Sequence, residues 1–325
     1  MLKDLKIVEL AMYLPLPYAG GVFAEMGAKV TKIESPVGGD PLKSFDISAY
    51  NYLNAKKEVL YLDLKNENDV KQIYELILDS DVVLNGFRRG FLKNKKLDYE
   101  TLKEKNSSLI YISLAGYEKG LKDANKAGHD LNFVSLSGIM QNFAEEGRLF
   151  LFQLADMAGA FWAVIALFYM LEKRRSFGVG GEIDLSLFRS LLSFFPFFYG
   201  AGKGGGIETG IFTGSFACYN IYETKDNRKI AFGCIEKKFF KRALDLLELS
   251  YEEDKLYDSS YQEELRDKVR AAIKDKDYDY WMEIFGSEDI CITPVLGKED
   301  FYSYLKLQGV NEEALRDFLF SPINY

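Results

Sequence analysis

Histidine, cysteine and long apolar runs are scarce in this chain. Its 325 residues include a single histidine, His129, and three cysteines, Cys218, Cys234 and Cys291. Three scattered cysteines cannot build the disulfide framework of a small secreted protein, and with one histidine they do not give the ligand spacing of a usual zinc site. The sequence therefore predicts a cytoplasmic protein, in a reducing compartment, with no structural metal.

An excess of positive charge is also missing. Lys and Arg number 41 against 49 Asp and Glu, which gives a net charge of −8 and a pI near 5.1. No basic domain or arm is available to displace counterions from phosphates, so we expect no nucleic-acid partner. Any anionic ligand would have to be met by a local cluster of basic side chains.

Signals for export or membrane insertion are weak. The first six residues lack the apolar stretch of a signal peptide, and the last five carry no receptor-read address, so we expect no export. Residues 150–171 are apolar, but Gln153 and Asp156 interrupt them, and the uninterrupted part is shorter than the roughly 20 residues of a membrane span. The sequence favours a buried core or interface helix here and no membrane partner.

What the chain does contain is an alternation of apolar strands and amphipathic helices. Apolar residues make up 48% of the sequence and aromatic residues 15%, enough for a sizeable core. This alternation predicts an α/β fold with a Rossmann-like parallel sheet wrapped by helices. Neither the G-x-G-x-x-G fingerprint nor a P-loop is present. The predicted strands are residues 7–10, 30–34, 60–64, 82–85 and 109–114.

Glycines divide the chain into a large and a small domain. Residues 201–214 are dense in glycine and predict a linker. We therefore predict a large Rossmann-like domain over residues 1–200 and a small α+β domain over residues 215–304, with residues 305–325 rejoining the large domain. The acidic stretch 251–264 lacks the pattern of a calcium loop and indicates a solvated face.

His129 is the first candidate catalytic residue. Imidazole has an unperturbed pKa of roughly 6.5, the closest to neutrality of any side chain, so a chain with one proton shuttle would use it. The alternative is that a sole histidine is an incidental helix-start residue. Its neighbours, an Ala127-Gly128-His129-Asp130 run and Asp156 in the next helix, favour the catalytic interpretation.

Several motifs resemble the family III CoA-transferase superfamily in order and spacing, nearly end to end. They are residues 5–10, 23–36, 38–41, 56–64 and 81–90. Within the superfamily the chain is most similar to the α-methylacyl-CoA racemases. That similarity rests on Ala127-Gly128-His129-Asp130, on Ala155-Asp156, and on Gly233-Cys234-Ile235-Glu236 followed by Phe239, with residues 290–296 resembling the family's late strand.

The resemblance implies an interlocked homodimer in which extended linkers join the two domains of each chain. It implies an acyl-CoA substrate from lipid metabolism and no separate cofactor, because coenzyme A is part of the substrate. His129 and Asp156 would lie on the large domain, and Glu236 would come from the small domain of the partner chain. Glu236, with Asp130 in support, would orient the imidazole.

The chemistry implied is a proton transfer at the carbon next to a thioester. Inversion at that carbon needs one base on each face of the enolate-like intermediate, and His129 and Asp156 would supply them. Such a pair is expected to titrate as a coupled unit. Backbone N–H groups at the start of the helix bearing Asp156 are candidates to stabilise the enolate oxygen, with small residues Ala158, Gly159 and Ala160 allowing close approach; simple helix packing is the alternative.

Coenzyme A carries phosphates, so basic side chains are expected at the mouth of the pocket. Arg88 is the strongest candidate, since it occupies the arginine of the family's Phe-Arg-Pro-Gly turn at the end of a strand. The chain departs from the family where Arg89 replaces that proline and Ala55 interrupts the basic turn. The remaining candidates are Lys32, Lys56, Lys57 and Arg89.

Two other functions remain open from the sequence. In a CoA-transferase Asp156 would attack the thioester carbonyl and pass through acyl-enzyme intermediates. A transferase of this superfamily needs the aspartate but not an imidazole across the α-carbon. The third possibility is an inactive CoA-binding paralogue.

Overall fold

The computed structural model describes residues 2–140, 152–194 and 210–310. The described residues up to 194 belong to one compact unit, and residues 210–310 belong to a second. Most of the predicted linker 201–214, and residues 311–325 of the predicted C-terminal segment, lie outside the described residues. The domain boundaries therefore stay predictions.

The first unit contains a six-stranded sheet in the order β3-β2-β1-β4-β5-β6. Every neighbouring pair is parallel, which confirms the predicted α/β fold with a parallel sheet. The chain order reverses between β1 and β4, where a crevice opens at the carboxyl ends of the strands. The strands are β1 (Lys6–Leu10), β2 (Lys29–Glu34), β3 (Glu58–Tyr61), β4 (Val82–Asn85), β5 (Ile110–Ala115) and β6 (Gly181–Ser186).

Helices cover both faces of this sheet. Alternate strand residues point to opposite sides, so Ile7 and Leu84 join one buried cluster while Val8 and Val83 join another. The helices of this unit are α1 (Pro15–Glu25), α2 (Leu42–Phe45), α3 (Ile47–Asn54), α4 (Glu67–Leu78), α5 (Tyr99–Leu102), α6 (Asp130–Leu136), α7 (Leu154–Phe177) and α8 (Leu187–Ser193).

The longest described helix, α7, contributes Ala163, Leu167 and Met170 to the cluster on the α1 side of the sheet. By length and composition alone it could cross a membrane, and 44% of its most apolar window is buried inside the protein. It ends at Gly178, which adopts the left-handed φ of 73° that suits a glycine at a helix terminus.

The second unit is a smaller α+β structure with its own core. Its antiparallel sheet has the order β7-β8-β9. One buried cluster joins the sheet to the helices and includes Phe232, Phe240 and Trp281. The elements are β7 (Tyr219–Glu223), β8 (Lys229–Gly233), α9 (Lys237–Leu246), α10 (Gln262–Asp275), α11 (Tyr278–Gly286), β9 (Ile292–Pro294) and α12 (Lys298–Leu307).

Candidate active site

A cavity of about 740 Å³ opens at the carboxyl edge of the parallel sheet. Its lining includes Ala11 after β1, Gly86 after β4 and Gly116 after β5, so it lies at the reversal of strand order. This is where open α/β sheets bind ligands, because loops diverge to opposite faces there. His129, Asp130 and Asp156 all line it.

His129 is the residue that precedes helix α6. Its backbone N–H donates to Asn132 Oδ1 at 2.9 Å, and its carbonyl accepts from the Asn132 N–H at 2.8 Å. These reciprocal bonds satisfy the first turn of the helix and fix the backbone from which the imidazole projects. The side chain is exposed to the cavity. The centroid of its ring lies 6.0 Å from the centroid of the Tyr13 ring, and the two rings are arranged edge to face.

Asp156 lies in the first turn of α7 and has a strongly perturbed carboxyl group. Burial, and secondarily the charge of Asp130, raise its pKa to about 7. A helix N-terminus favours the carboxylate, but the cost of desolvating the charge is the larger effect here. Near neutral pH this carboxyl group therefore exists in both protonation states, as a group that both donates and accepts a proton requires.

Asp130 caps the helix that carries Asp156. Its Oδ1 accepts hydrogen bonds from Ala155 N at 2.6 Å and from Asp156 N at 3.2 Å. Burial raises the pKa of Asp130, and these N–H donors oppose the shift. The carboxylate therefore acts on Asp156 through the helix N-terminus, a contact that differs from the predicted support of the imidazole.

The predicted oxyanion site at the start of α7 is not what the structure shows. The N–H groups of Ala155 and Asp156 already donate to Asp130. The small residues behind them serve packing, since a Cβ on Gly159 would lie 2.5 Å from Leu187 Cδ2. Helix packing, the alternative interpretation of Ala158, Gly159 and Ala160, accounts for these buried residues.

The adjacent arginines of the β4 turn have different surroundings. Arg88 is exposed and lines the cavity, a location that suits a phosphate ligand. Arg89 also lines it, but its guanidinium forms a bidentate pair with Asp184 at 2.9 Å and donates to Tyr117 O at 2.7 Å. Its donors therefore hold β6 and the segment after β5 in place, which the sequence did not indicate.

The three candidate lysines do not line this cavity. The side chains of Lys32 and Lys57 are 0% exposed and pair with Glu9, Lys32 pairing also with Asp40. Lys56 is exposed and pairs with Glu25. A phosphate would have to displace buried carboxylates to reach Lys32 or Lys57, so the predicted CoA-binding role of these two is not compatible with their location.

Glu236 belongs to the second unit, where it is exposed and precedes helix α9. Its predicted approach to His129 of the partner chain stays a prediction. No cluster of three or more His, Cys, Asp or Glu side chains with metal-binding geometry occurs in the part of the chain that the structure describes.

Tyr13 is a lining residue that the sequence did not suggest. It follows β1 and adopts a φ of 65°, which is rare for a residue other than glycine. The Leu-Pro-Leu-Pro run at residues 14–17 indicates a strand-to-helix turn at this point, so proximity to the cavity could have been inferred.

A parallel sheet with helices on both faces and a cavity at its switch point is the architecture of the α/β proteins that bind ligands at the carboxyl ends of their strands. A family model described as CoA-transferase family III matches residues 2–312, and the chain belongs to that family. The family is enzymatic and includes both racemases and CoA-transferases.

Named relatives fall on both sides of that division. A CaiB/baiF CoA-transferase family protein of Caenorhabditis elegans is 30% identical over 93% of this chain and 88% of its own length. Human alpha-methylacyl-CoA racemase is 29% identical over 92% of this chain and 78% of its own length. Cinnamoyl-CoA:phenyllactate CoA-transferase of Clostridium sporogenes is 31% identical over 59% of this chain and 50% of its own length.

Solved structures agree in fold. A CAIB/BAIF family protein from Brucella suis superposes with a TM-score of 0.80, covering 95% of this chain and 88% of that one at 24% identity. The similarity extends along most of both chains, so the two proteins share this fold.

Proposed function

We propose that this protein interconverts the (R) and (S) forms of 2-methylacyl-CoA thioesters by proton transfer between two bases. The observation that carries the proposal is that His129 and Asp156 line one cavity, and that the pKa of Asp156 is raised to about 7. An inversion needs one group that gives a proton and another that takes one, and the two roles must exchange in the reverse direction.

In one direction neutral His129 removes the α-proton, and the electrons of that C–H bond move onto the thioester carbonyl to form an enolate. Protonated Asp156 then delivers a proton to the opposite face of the same carbon. In the reverse direction the Asp156 carboxylate takes the proton and the imidazolium returns one. Glu236, from the small domain of a partner chain in an interlocked dimer, would orient the imidazole.

Arg88 supports an acyl-CoA substrate because its guanidinium is exposed at the cavity, where it can bind a phosphate bidentately. We propose no cofactor, since coenzyme A enters as part of the substrate.

The second candidate function is CoA transfer between carboxylic acids. Transferase relatives at about 30% identity and an Asp156 able to attack a thioester carbonyl favour it.

Isotope exchange separates these functions. Purified protein is incubated with one enantiomer of a 2-methylacyl-CoA in deuterated water, and enantiomeric ratio and α-deuteration are followed. Racemisation with deuterium uptake is expected, and its absence contradicts the proposal. Transfer of CoA to an added carboxylate, with a hydroxylamine-trapped aspartyl thioester, would establish the transferase instead.

A His129→Gln variant tests whether the imidazole is needed, and so distinguishes the two functions. Glutamine keeps a polar group at the site but cannot shuttle a proton, so racemisation should fall by roughly 10²- to 10⁴-fold. A transferase that relies on Asp156 as nucleophile would keep most of its activity in the same variant.

A further inference from the structure

Four charged side chains meet in the core beneath the loop that joins β1 to α1. They are Glu9 on β1, Lys32 on β2, Asp40 before α2 and Lys57 before β3, all with 0% side-chain exposure. Lys32 Nζ lies 3.0 Å from both Glu9 Oε1 and Asp40 Oδ2, and Lys57 Nζ lies 2.8 Å from Glu9 Oε2. We call these four residues the charge network.

The charge network is neutral as a whole, which is what burial demands. Burial by itself would lower the pKa of Lys32, but Glu9 and Asp40 outweigh it and hold that pKa above its usual value. Burial lowers the pKa of Lys57 despite the pull of Glu9. Apolar side chains of similar volume are often at least as stabilising as a buried ion pair, so stability alone is a weak explanation for the network.

The network binds the loop at two points and the first turn of α1 at a third. Lys32 Nζ donates to Ala11 O at 2.8 Å, and Lys57 Nζ donates to Pro17 O at 2.7 Å. Between them, the Tyr13 N–H donates to Asp40 Oδ1 at 3.0 Å. Helix α1 lies directly against the network, since a Cβ on Gly20 would lie 2.0 Å from Glu9 Oε2.

Tyr13 is the residue that these contacts place. Its φ of 65° is in the left-handed region, which an aromatic residue keeps only when its surroundings impose it. Its ring lines the cavity and faces the His129 ring at a centroid distance of 6.0 Å and an interplanar angle of 79°. The ring therefore bounds the space next to the imidazole.

We propose that the charge network positions the β1–α1 loop so that the Tyr13 ring stands beside His129 and limits the bulk of the acyl group that reaches the imidazole. Tyr13 is thus a specificity residue, and Glu9, Lys32, Asp40 and Lys57 are positioning residues. The specificity role rests on the proposed function, whereas the positioning role does not.

The positioning role has a direct readout because His129 is the only histidine in the chain. In untagged protein the imidazole gives one set of ¹H and ¹³C resonances, which the ring current of Tyr13 displaces. Tyr13→Ala should shift them, while Tyr13→Phe, which keeps the ring, should leave them near the wild-type position. Equal resonances in Tyr13→Ala and wild type would overturn the proposed placement.

A matched pair of double variants tests the network itself. Lys32→Met with Asp40→Asn removes one charge of each sign but keeps an acceptor for the Tyr13 N–H, whereas Lys32→Met with Asp40→Ala removes that acceptor. The first should keep resonances closer to wild type than the second. Identical wild-type resonances in both would overturn the network's role. Circular dichroism reports folding. Loss of the fold in both double variants would make the network a requirement of the core rather than a support of the loop and would overturn its positioning role, whereas Tyr13→Ala, which removes no buried charge, still tests the placement of the ring.

Selectivity is measured with acyl-CoA thioesters of increasing bulk at the α-carbon. Tyr13→Ala should raise the preference for the bulky over the small member by roughly tenfold in kcat/KM. Dissociation constants followed through the His129 resonance give the same comparison without turnover. An unchanged preference in folded Tyr13→Ala protein overturns the specificity role. If the wild-type protein does not racemise these thioesters but the resonance shifts are still observed, the proposed function is wrong and the positioning role stands.

Discussion

Asp130 links the two groups that the proposed proton transfer uses. It follows His129 in the chain, and its carboxylate accepts from the N–H groups of Ala155 and Asp156. One side chain therefore contributes a negative charge near Asp156 and fixes the start of the helix that carries it. A change at Asp130 is expected to move the acid–base behaviour of Asp156 more than the fold.

Asp130→Asn should lower the pKa of Asp156 toward its ordinary range. The amide keeps an acceptor for the helix but loses the negative charge, which is the second cause of the raised pKa after burial. The racemisation rate should fall as protonated Asp156 is lost with rising pH, and in the variant this fall should occur at lower pH. Carboxyl ¹³C shifts of labelled aspartate measure the same change directly.

Asp130→Ala is the control for that shift. It removes both the charge and the helix cap, so it should also cost about 1 kcal/mol of unfolding free energy, whereas Asp130→Asn should not. An Asp156 pKa that is the same in wild type and in Asp130→Asn would contradict the coupling.

The sequence predicted part of this site and missed contacts between distant residues. His129 stood out as a single proton shuttle, and Asp156, noted as a neighbour in the next helix, received its role as the second base through the family resemblance. Lys32 and Lys57 were wrongly expected at the pocket mouth. Their partner, Glu9, lies 23 and 48 residues away along the chain, so the sequence did not reveal that they are paired. Pairing over such separations depends on strand order, which residue types alone do not reveal.

At the scale of elements, the four inner strands of the parallel sheet were predicted well; of its two edge strands, β3 was predicted two residues late and β6 was missed. β1, β2, β4 and β5 each begin within one residue of their predicted start. A buried branched residue marks each of these starts, namely Ile7, Val30, Val82 and Ile110. β6 follows glycines, alternates polar Glu182 and Asp184 with apolar residues, and lies at the sheet edge. Its weaker apolar pattern gave no strand prediction.

The attachment of β6 depends on Gly180. A Cβ there would lie 2.0 Å from the carbonyl oxygen of Leu109, and backbone cannot move aside as a side-chain tip can. Gly180→Ala should therefore destabilise the protein by about 1–3 kcal/mol, measured by urea unfolding. Gly286→Ala, where a Cβ meets nothing within 4 Å, is the control and should be neutral or slightly stabilising, because Gly286 ends helix α11 and alanine is the better helix former. Equal losses in both variants would contradict the close approach.

At the scale of the whole molecule, the described residues divide into units with separate cores. The nineteen buried members of the second unit's cluster all come from residues 217–292. Each unit buries its own apolar residues, which is the property of a region able to fold alone.

Residues 210–310 expressed alone should therefore unfold cooperatively. A sigmoidal urea transition and dispersed amide resonances are the expected results. The control is the same fragment carrying Phe240→Ala, which removes a fully buried ring and should lower its stability by about 3–5 kcal/mol or prevent folding. A fragment without a cooperative transition would show that the second core is insufficient.

Asp156 also makes stability of the whole protein depend on pH. Its folded pKa of about 7 exceeds the ordinary value of 3.8, so the folded state binds the proton more tightly than the unfolded state. The contribution of this group is fully present below about pH 4 and is lost as pH rises toward 7, a change on the order of 4 kcal/mol.

Asp156→Asn isolates that contribution from the opposite slopes of ion-paired carboxylates elsewhere. The amide has nearly the same shape but does not titrate, so the variant should gain stability relative to wild type between about pH 4 and pH 7. Above that range the difference should become constant, because wild-type Asp156 is then ionised in both states. Urea unfolding of both proteins across this range measures it. A pH-independent difference would mean that burial does not raise the pKa of Asp156, and the proposed acid–base role near neutrality would lose its physical basis.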